Sequence, residues 1–449
     1  MSHTLFRKCT LLLLVLSFMI RPALAWSEHP MVAYPVLSSI PGVRDAAPVE
    51  VKSLQRFLAE EEEGLERLLR DQEAWAREHL PSYAPRPDEL VFMATGDSAT
   101  LRNRFLSALR VNPHIKTALY LHLLPGQEAG ERDTVSPYEL TTLSTLYEML
   151  FTTYVRLEEG EGVAPLHVLA TASDEPDYGF DLGLFTDNGT EWGRYYGFGE
   201  QPFGNPGLEY GSQAPFHMGF YHESRLVFAA APFLKRTYVE YRLHLYKTLS
   251  EYAFSVGQDY WGWRFMGWAM HYLNDMSMPY HTTVMPAKGA LGMIWINLKA
   301  MLGFRRSYDN AVQLLSNKHT VYEQFQWQVL RQAHLSGDDA HPFLEALANP
   351  ADPEGYHDRF AREVAARESN RMARKNDRLL RRHVPRHLVS DPSNEIEGSH
   401  QLEGLLDEIR EAKGEEAVEE MTAMIAERFR SLSMHTRSFV SYMLDRTGR

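Results

Sequence analysis

Residues 48–80 place apolar side chains at helical intervals with acids and bases on the opposite side, which predicts a long amphipathic helix. A second helical stretch is expected over 136–157. Between 172 and 216 the pattern changes, because glycine, proline, aspartate, asparagine and aromatic residues crowd together as in a long ordered loop. Helical spacing returns over 224–256 and 261–275, with Pro279 stopping the latter. Further helices fit 306–334, 355–383, 400–412 and 415–445. Strand-like alternation is scarce and no repeat is evident, so the expected fold class is mostly α. A linker fits 335–355. It would set a domain over 26–340 against a helical region, 341–449, that either extends that domain or belongs to it.

The first 25 residues read differently. Arg7 and Lys8 precede an apolar stretch, and Ala23-Leu24-Ala25 is the small-x-small pattern that a signal peptidase accepts. The stretch is shorter than the roughly 20 residues needed to span a bilayer. Export with cleavage after Ala25 is therefore expected, giving an extracellular or periplasmic protein that begins at Trp26. The single cysteine, Cys9, lies in this leader, so the mature chain has no disulfide, no thiolate metal site and no cysteine nucleophile. All but one of the 19 histidines lie beyond it. Any transition metal would have to be held by nitrogen and oxygen. A formal net charge of −13 lacks the basic footprint of a nucleic-acid binder, so no nucleic-acid partner is expected.

The sharpest local signal is His271-Tyr-Leu-Asn-Asp275-Met-Ser-Met-Pro279-Tyr-His281. On a helix, His271 and Asp275 project from one face and can reach the same cation. A turn at Pro279 can bring His281 back towards them. His319 and Glu323 repeat the i, i+4 spacing further along, on what would be a neighbouring helix. Imidazole and carboxylate are the ligands that suit zinc where thiolates are absent. The mature N-terminus would add a free α-amine and carbonyl at Trp26, with His29 close behind.

In this combination the chain resembles the zinc-dependent phospholipase C family, and is similar to the related single-strand nucleases that share its three-zinc helical architecture. The resemblance rests on an N-terminal Trp26 with His29, on His271, Asp275 and His281 with Pro279 between the last two, and on His319 with Glu323. The His-x3-Glu pair and its context, His-Thr-Val-Tyr-Glu, favour the phospholipases over the nucleases. The resemblance implies three zinc ions. His271 and Asp275 would hold one; Asp275 would bridge to a second, shared with Trp26 and His29; and His281, His319 and Glu323 would hold the third. It also calls for one more aspartate and one more histidine from the loop region. Asp177 and His217 are the choice, with Asp174, Asp181 and His222 as rivals. The long intervals from Trp26 to the loop, and from Asp177 to His217, depart from the family pattern and imply insertions.

The expected activity is secreted phosphodiester hydrolysis. Zinc-activated water would attack phosphorus, with Asp177 as ligand and general base, converting phosphatidylcholine and similar lipids to diacylglycerol and a phosphorylated head group. The partner is then a phospholipid membrane or micelle surface, with no obligate protein partner evident. A zinc nuclease or nucleotidase of the same superfamily and a non-catalytic metal- and membrane-binding protein are the alternatives. Tyr178, Phe216, Tyr221 and Glu28 are candidates for a choline pocket, against the plainer reading that they pack or lie on the surface. The basic run from Arg371 to Arg386 reads as a solvated helix face or a site for anionic lipid.

Overall fold

The computed structural model describes residues 29–449 except 145–146, 208, 350–351 and 397–398, and these are mostly α-helical, with 62% helix and 3% strand. The expected leader, Trp26 and Glu28 lie outside the described residues. Helix α1 (His29–Ser38) buries Met31, Val32, Ala33, Val36 and Leu37 and so has little polar face. The long amphipathic helix forms as α2 (Leu54–His79), but starts later than residue 48 because Val49–Glu50 is strand β1. Ser53 caps α2 by accepting the Arg56 amide. Periodicity leaves α3 (Ser98–Leu109) unmarked, and its cap is Asp97, which accepts the Ala99 amide.

The helix expected over 136–157 does not form. Single turns occupy Pro137–Glu139 and Glu148–Phe151, and strand β3 (Thr153–Arg156) then pairs antiparallel with β2 (Tyr120–Leu123), setting Leu121 opposite Val155. Thr152, Thr153 and Val155 lose rotamer freedom in a helix, so an extended ribbon wins at the end of this stretch. Strand β4 (Gly162–Val163) pairs with β1 and leads into α4 (Pro165–Ala172), which opens on a proline. The first part of the ordered loop that follows is no surface connection. Every residue from 168 to 185 is buried.

This part of the loop is buried because it lies against the central helix pair, α5 (Val239–Ser255) and α6 (Asp259–Asp275). All of α6 from Tyr260 onward is buried, and Trp261, Trp263 and Trp268 are core residues. Gly267 permits the close crossing of α4. A Cβ there would stand 2.5 Å from the Ala172 Cβ and 2.9 Å from the Leu169 carbonyl oxygen. In an open helix Gly→Ala is favourable by about 1 kcal/mol. Here Gly267→Ala is expected to destabilise by about 1–3 kcal/mol, because neither atom belongs to a flexible side-chain end. Urea denaturation checks this, and a neutral or stabilising result would mean the helices do not approach so closely.

Helix α6 already ends at Asp275, and Pro279 opens the next short turn, Pro279–Thr282, instead of acting as the stop. Then come α7 (Ala290–Met301), which periodicity does not mark, and α8 (Arg306–Ser336). The stretch 335–355 is not an open linker. It contains α9 (Pro342–Ala348), whose Phe343 packs edge-on to Phe429 at 4.8 Å. Helices α10 (Ala366–His383), α11 (Leu405–Lys413) and α12 (Glu415–Thr447) complete the chain. Phe439, Val440, Met443 and Leu444 of α12 share one core with α5 and α6. A second core joins Met31, Val32 and Val36 of α1 to α8 and to α9–α12. Residues 341–449 therefore pack into both cores alongside the N-terminal elements. No helix among the described residues is long and apolar enough to cross a membrane.

Candidate metal centre

Along α6, His271 and Asp275 sit one turn apart on the same face, with Nε2 and Oδ2 3.5 Å apart. The His271 ring is oriented from behind, where Nδ1 lies 2.8 Å from the Ser173 carbonyl oxygen. A carbonyl only accepts, so Nδ1 carries the proton and Nε2 presents its lone pair to the acids. Asp177, on the turn Glu175–Tyr178, brings Oδ1 to 3.5 Å from that Nε2. The turn is held by Glu175, which accepts two hydrogen bonds from Arg264 of α6, at 2.9 and 2.7 Å.

His217 enters from the short helix Ala214–His217, its Nδ1 2.9 Å from Asp275 Oδ2 and 3.6 Å from Asp177 Oδ1. His29, at the start of α1, sets Nε2 3.6 Å from Asp177 Oδ2, and its ring lies 4.2 Å from that of His271. On the other side, Asp275 turns Oδ1 to within 3.4 Å of His281 Nδ1. His281 Nε2 is 3.7 Å from Glu323 Oε1, which is 3.0 Å from His319 Nε2 on α8. The Gly219 amide donates to the His281 carbonyl at 2.8 Å and so ties the His217 and His281 segments together.

These side chains make three groups, each able to hold a metal ion: His29, Asp177 and His271; His217, His271 and Asp275; and His281, His319 and Glu323. The groups are linked, with His271 common to two and Asp275 reaching towards the third. The family resemblance sets His29 beside Asp275, whereas the structure groups His29 with Asp177 and His271.

The rival loop residues have other placements. Asp174 accepts the His29 amide at 2.9 Å and the Tyr178 hydroxyl at 2.7 Å, tying the loop to the start of α1. Asp181 stands behind His217, 3.4 Å from its Nε2, and accepts from Arg242 at 2.8 Å and Tyr272 at 2.6 Å. It thereby turns Nδ1 towards Asp275. His222 donates through Nε2 to the Arg362 carbonyl. The supporting residues Ser173, Arg242 and Tyr272 go unmarked in the sequence. The one trace is Arg242, a charge in the middle of an otherwise apolar helix face.

Three of the four choline-pocket candidates lie within the described residues, and they do not converge. Tyr178 packs edge-on to Tyr154, Phe216 stacks on Tyr238 beneath Arg242, and Tyr221 lies under Arg362.

Burial governs the electrostatics. It lowers His271 to about 4, His319 to about 3, and His29 well below its ordinary value, so these imidazoles are neutral with lone pairs available. It also pushes the Asp177 and Glu323 carboxyls well up. Burial acts the same way on Asp275, but His271 and His281 outweigh it and hold that carboxyl well below its usual range. His217 is the exception among the rings. Burial opposes its charge, yet hydrogen bonds with Asp181 and Asp275 raise it to about 10.

The donor set fits a cation. Both oxygens of Asp177, Oδ1 of Asp275, both nitrogens of His281 and Oε2 of Glu323 are buried and make no hydrogen bond. A desolvated polar atom left in this state costs about 1–3 kcal/mol. Bound cations relieve that cost for all of them together. The Asp177 side chain is 12% exposed and every other member of the three groups 5% or less, so the cluster is enclosed and Asp177 is its least buried member.

Comparisons with protein-family models, with curated proteins and with solved structures return no match to the chain.

Proposed function

We propose that the protein is an exported, zinc-dependent phosphodiester hydrolase of the phospholipase C type, acting on glycerophospholipids such as phosphatidylcholine. The observation that carries this reading is the linked set of three nitrogen–oxygen groups, with His271 shared and Asp275 set between neighbours. Buried imidazoles with carboxylates and no thiolate suit zinc, and three groups suit three ions. Trp26 would add its amine and carbonyl to the His29 group, as the family resemblance implies. When bound, zinc supplies positive charge that binds phosphate oxygens and lowers the pKa of water.

The chain's own residues then have distinct tasks. Asp177, the least buried member of the cluster, would ligate through one carboxylate oxygen and take the proton of the attacking water at the other. Water oxygen bonds to phosphorus, the bond from phosphorus to the glycerol oxygen breaks, and that oxygen receives the proton held by Asp177 and leaves as the hydroxyl of diacylglycerol. Asp181 and Ser173 do not touch substrate. They hold the His217 and His271 rings in place through their far nitrogens.

The test is release of phosphocholine from a dissolved short-chain phosphatidylcholine by the zinc-loaded protein. Release, with an Asp177→Asn variant slowed by about 100-fold or more, is the expected result. No release but cleavage of single-stranded DNA would move the reading to the nucleases. Failure on both substrates would overturn it.

A further inference from the structure

Residues 276–308 contain no aspartate or glutamate, although the whole chain carries a net charge of −13. The only charged residues in this run are Lys288, Lys299, Arg305 and Arg306. Helix α7 lies within it and is apolar on both sides. Its inner face, with Met293 and Ile296, closes an apolar cavity also lined by Leu234, Val284 and Met285. Its outer face presents Leu291, Trp295, Leu298 and Leu302, 76%, 57%, 40% and 67% exposed, at i, i+4, i+7 and i+11. Phe304, just beyond, is 69% exposed. A helix that is apolar all round belongs in a core or against lipid. None of the described residues covers this outer face.

The surroundings of the stripe are basic. Lys288 precedes α7, Arg305 and Arg306 follow it, and Lys299 reaches over the Trp295 ring at 5.2 Å. From α10, Arg374 extends to the start of α7, its Nη2 3.7 Å from where a Cβ on Gly289 would stand. Arg367, Arg371 and Arg378 are exposed on the same helix.

We propose that α7 is a membrane-docking helix that lies in the plane of an anionic phospholipid bilayer. The stripe from Leu291 to Leu302 enters the acyl region, while Lys288, Arg305, Arg306 and Arg374 meet the head groups. Charge selects this occupant. An acidic protein is repelled by an anionic surface unless a basic face leads, and here Lys288, Lys299, Arg306 and Arg374 stand beside Arg305, which pairs with Asp309 at 3.8 Å. A second copy of the chain fits less well, because a two-fold contact through the stripe would set these bases against one another. The inference is carried by the surface of α7 and does not depend on the zinc reading.

The test is flotation of the full, zinc-loaded chain with phosphatidylcholine vesicles, with and without phosphatidylglycerol. Binding is expected to vesicles containing phosphatidylglycerol and to weaken with added salt. Joint substitution of Leu291→Ser, Trp295→Ser and Leu302→Ser is expected to weaken it about tenfold or more, with circular dichroism unchanged. Hydrolysis of dissolved short-chain phosphatidylcholine needs no surface and should not change in that variant. Three results would overturn the proposal: a parent protein that never floats, a triple variant that floats equally well, or a dimer in sedimentation that the triple variant splits. If the parent floats and the variant does not, but dissolved lipid is never hydrolysed, the docking proposal stands and the phospholipase reading falls.

Discussion

His271→Ala is expected to remove two of about three bound zinc ions, and Glu323→Ala one. The difference follows from geometry. His271 Nε2 faces Asp177 Oδ1 and Asp275 Oδ2 at 3.5 Å each and belongs to two of the groups, whereas Glu323 belongs only to the group with His281 and His319. Metal content by mass spectrometry of protein purified with zinc reads both counts. Stability should follow the count, since each ion at a free concentration about a thousand times its Kd adds about 4 kcal/mol. Chelation of the parent protein should therefore lower its Tm more than any single substitution on the surface. One ion lost from each variant would refute the shared position of His271. A parent protein with no zinc would refute the metal reading itself.

The second large effect is expected away from the donor atoms, at Arg242. This fully buried guanidinium donates to Asp181 at 2.8 Å, and to the Leu109 and Arg110 carbonyls at 2.7 Å each, with its charge 4.7 Å over the Phe216 ring. Burial pushes the Asp181 carboxyl up, but Arg242 and His217 outweigh it and hold it below the usual range. Removing one partner of such a pair strands the other charge in the interior and typically costs about 3–5 kcal/mol. Arg242→Ala should show that loss in chemical denaturation, and Arg242→Lys should recover part of it by keeping a charge beside Asp181. The metal count gives an independent readout. Once Asp181 no longer steadies His217, the His217 group should lose its ion while the His281 group keeps its own. An Arg242→Ala protein with parental stability and three ions would mean that Asp181 needs no counter-charge.

The two i, i+4 pairs at the centre were legible because one helix face is a local property. Once residues 259–275 and 306–336 are helical, His271 must sit above Asp275 and His319 above Glu323, whatever lies around them. The long helices were legible for the same reason, since an apolar stripe at a period of 3.6 needs only its own residues to declare itself. Helices α3 and α7 were not. The apolar positions of α3 give only a weak stripe, and α7 is apolar on both faces, so neither shows a clear polar–apolar boundary.

Distances between elements belong to the packed chain. That the α6 pair faces the α8 pair through His281, that His29 meets Asp177, and that residues 341–449 share both cores are outcomes of contacts between separate elements of the chain. The three aspartates of the buried loop show the limit most clearly. As residue types, Asp174, Asp177 and Asp181 are equivalent turn formers, yet one ties down the start of α1, one faces three histidines, and one is neutralised by Arg242 behind His217. Composition and spacing assign the chemistry a carboxylate can do. Which carboxylate does it depends on the neighbours that burial forces upon each, because a desolvated charge persists only where the fold supplies a partner.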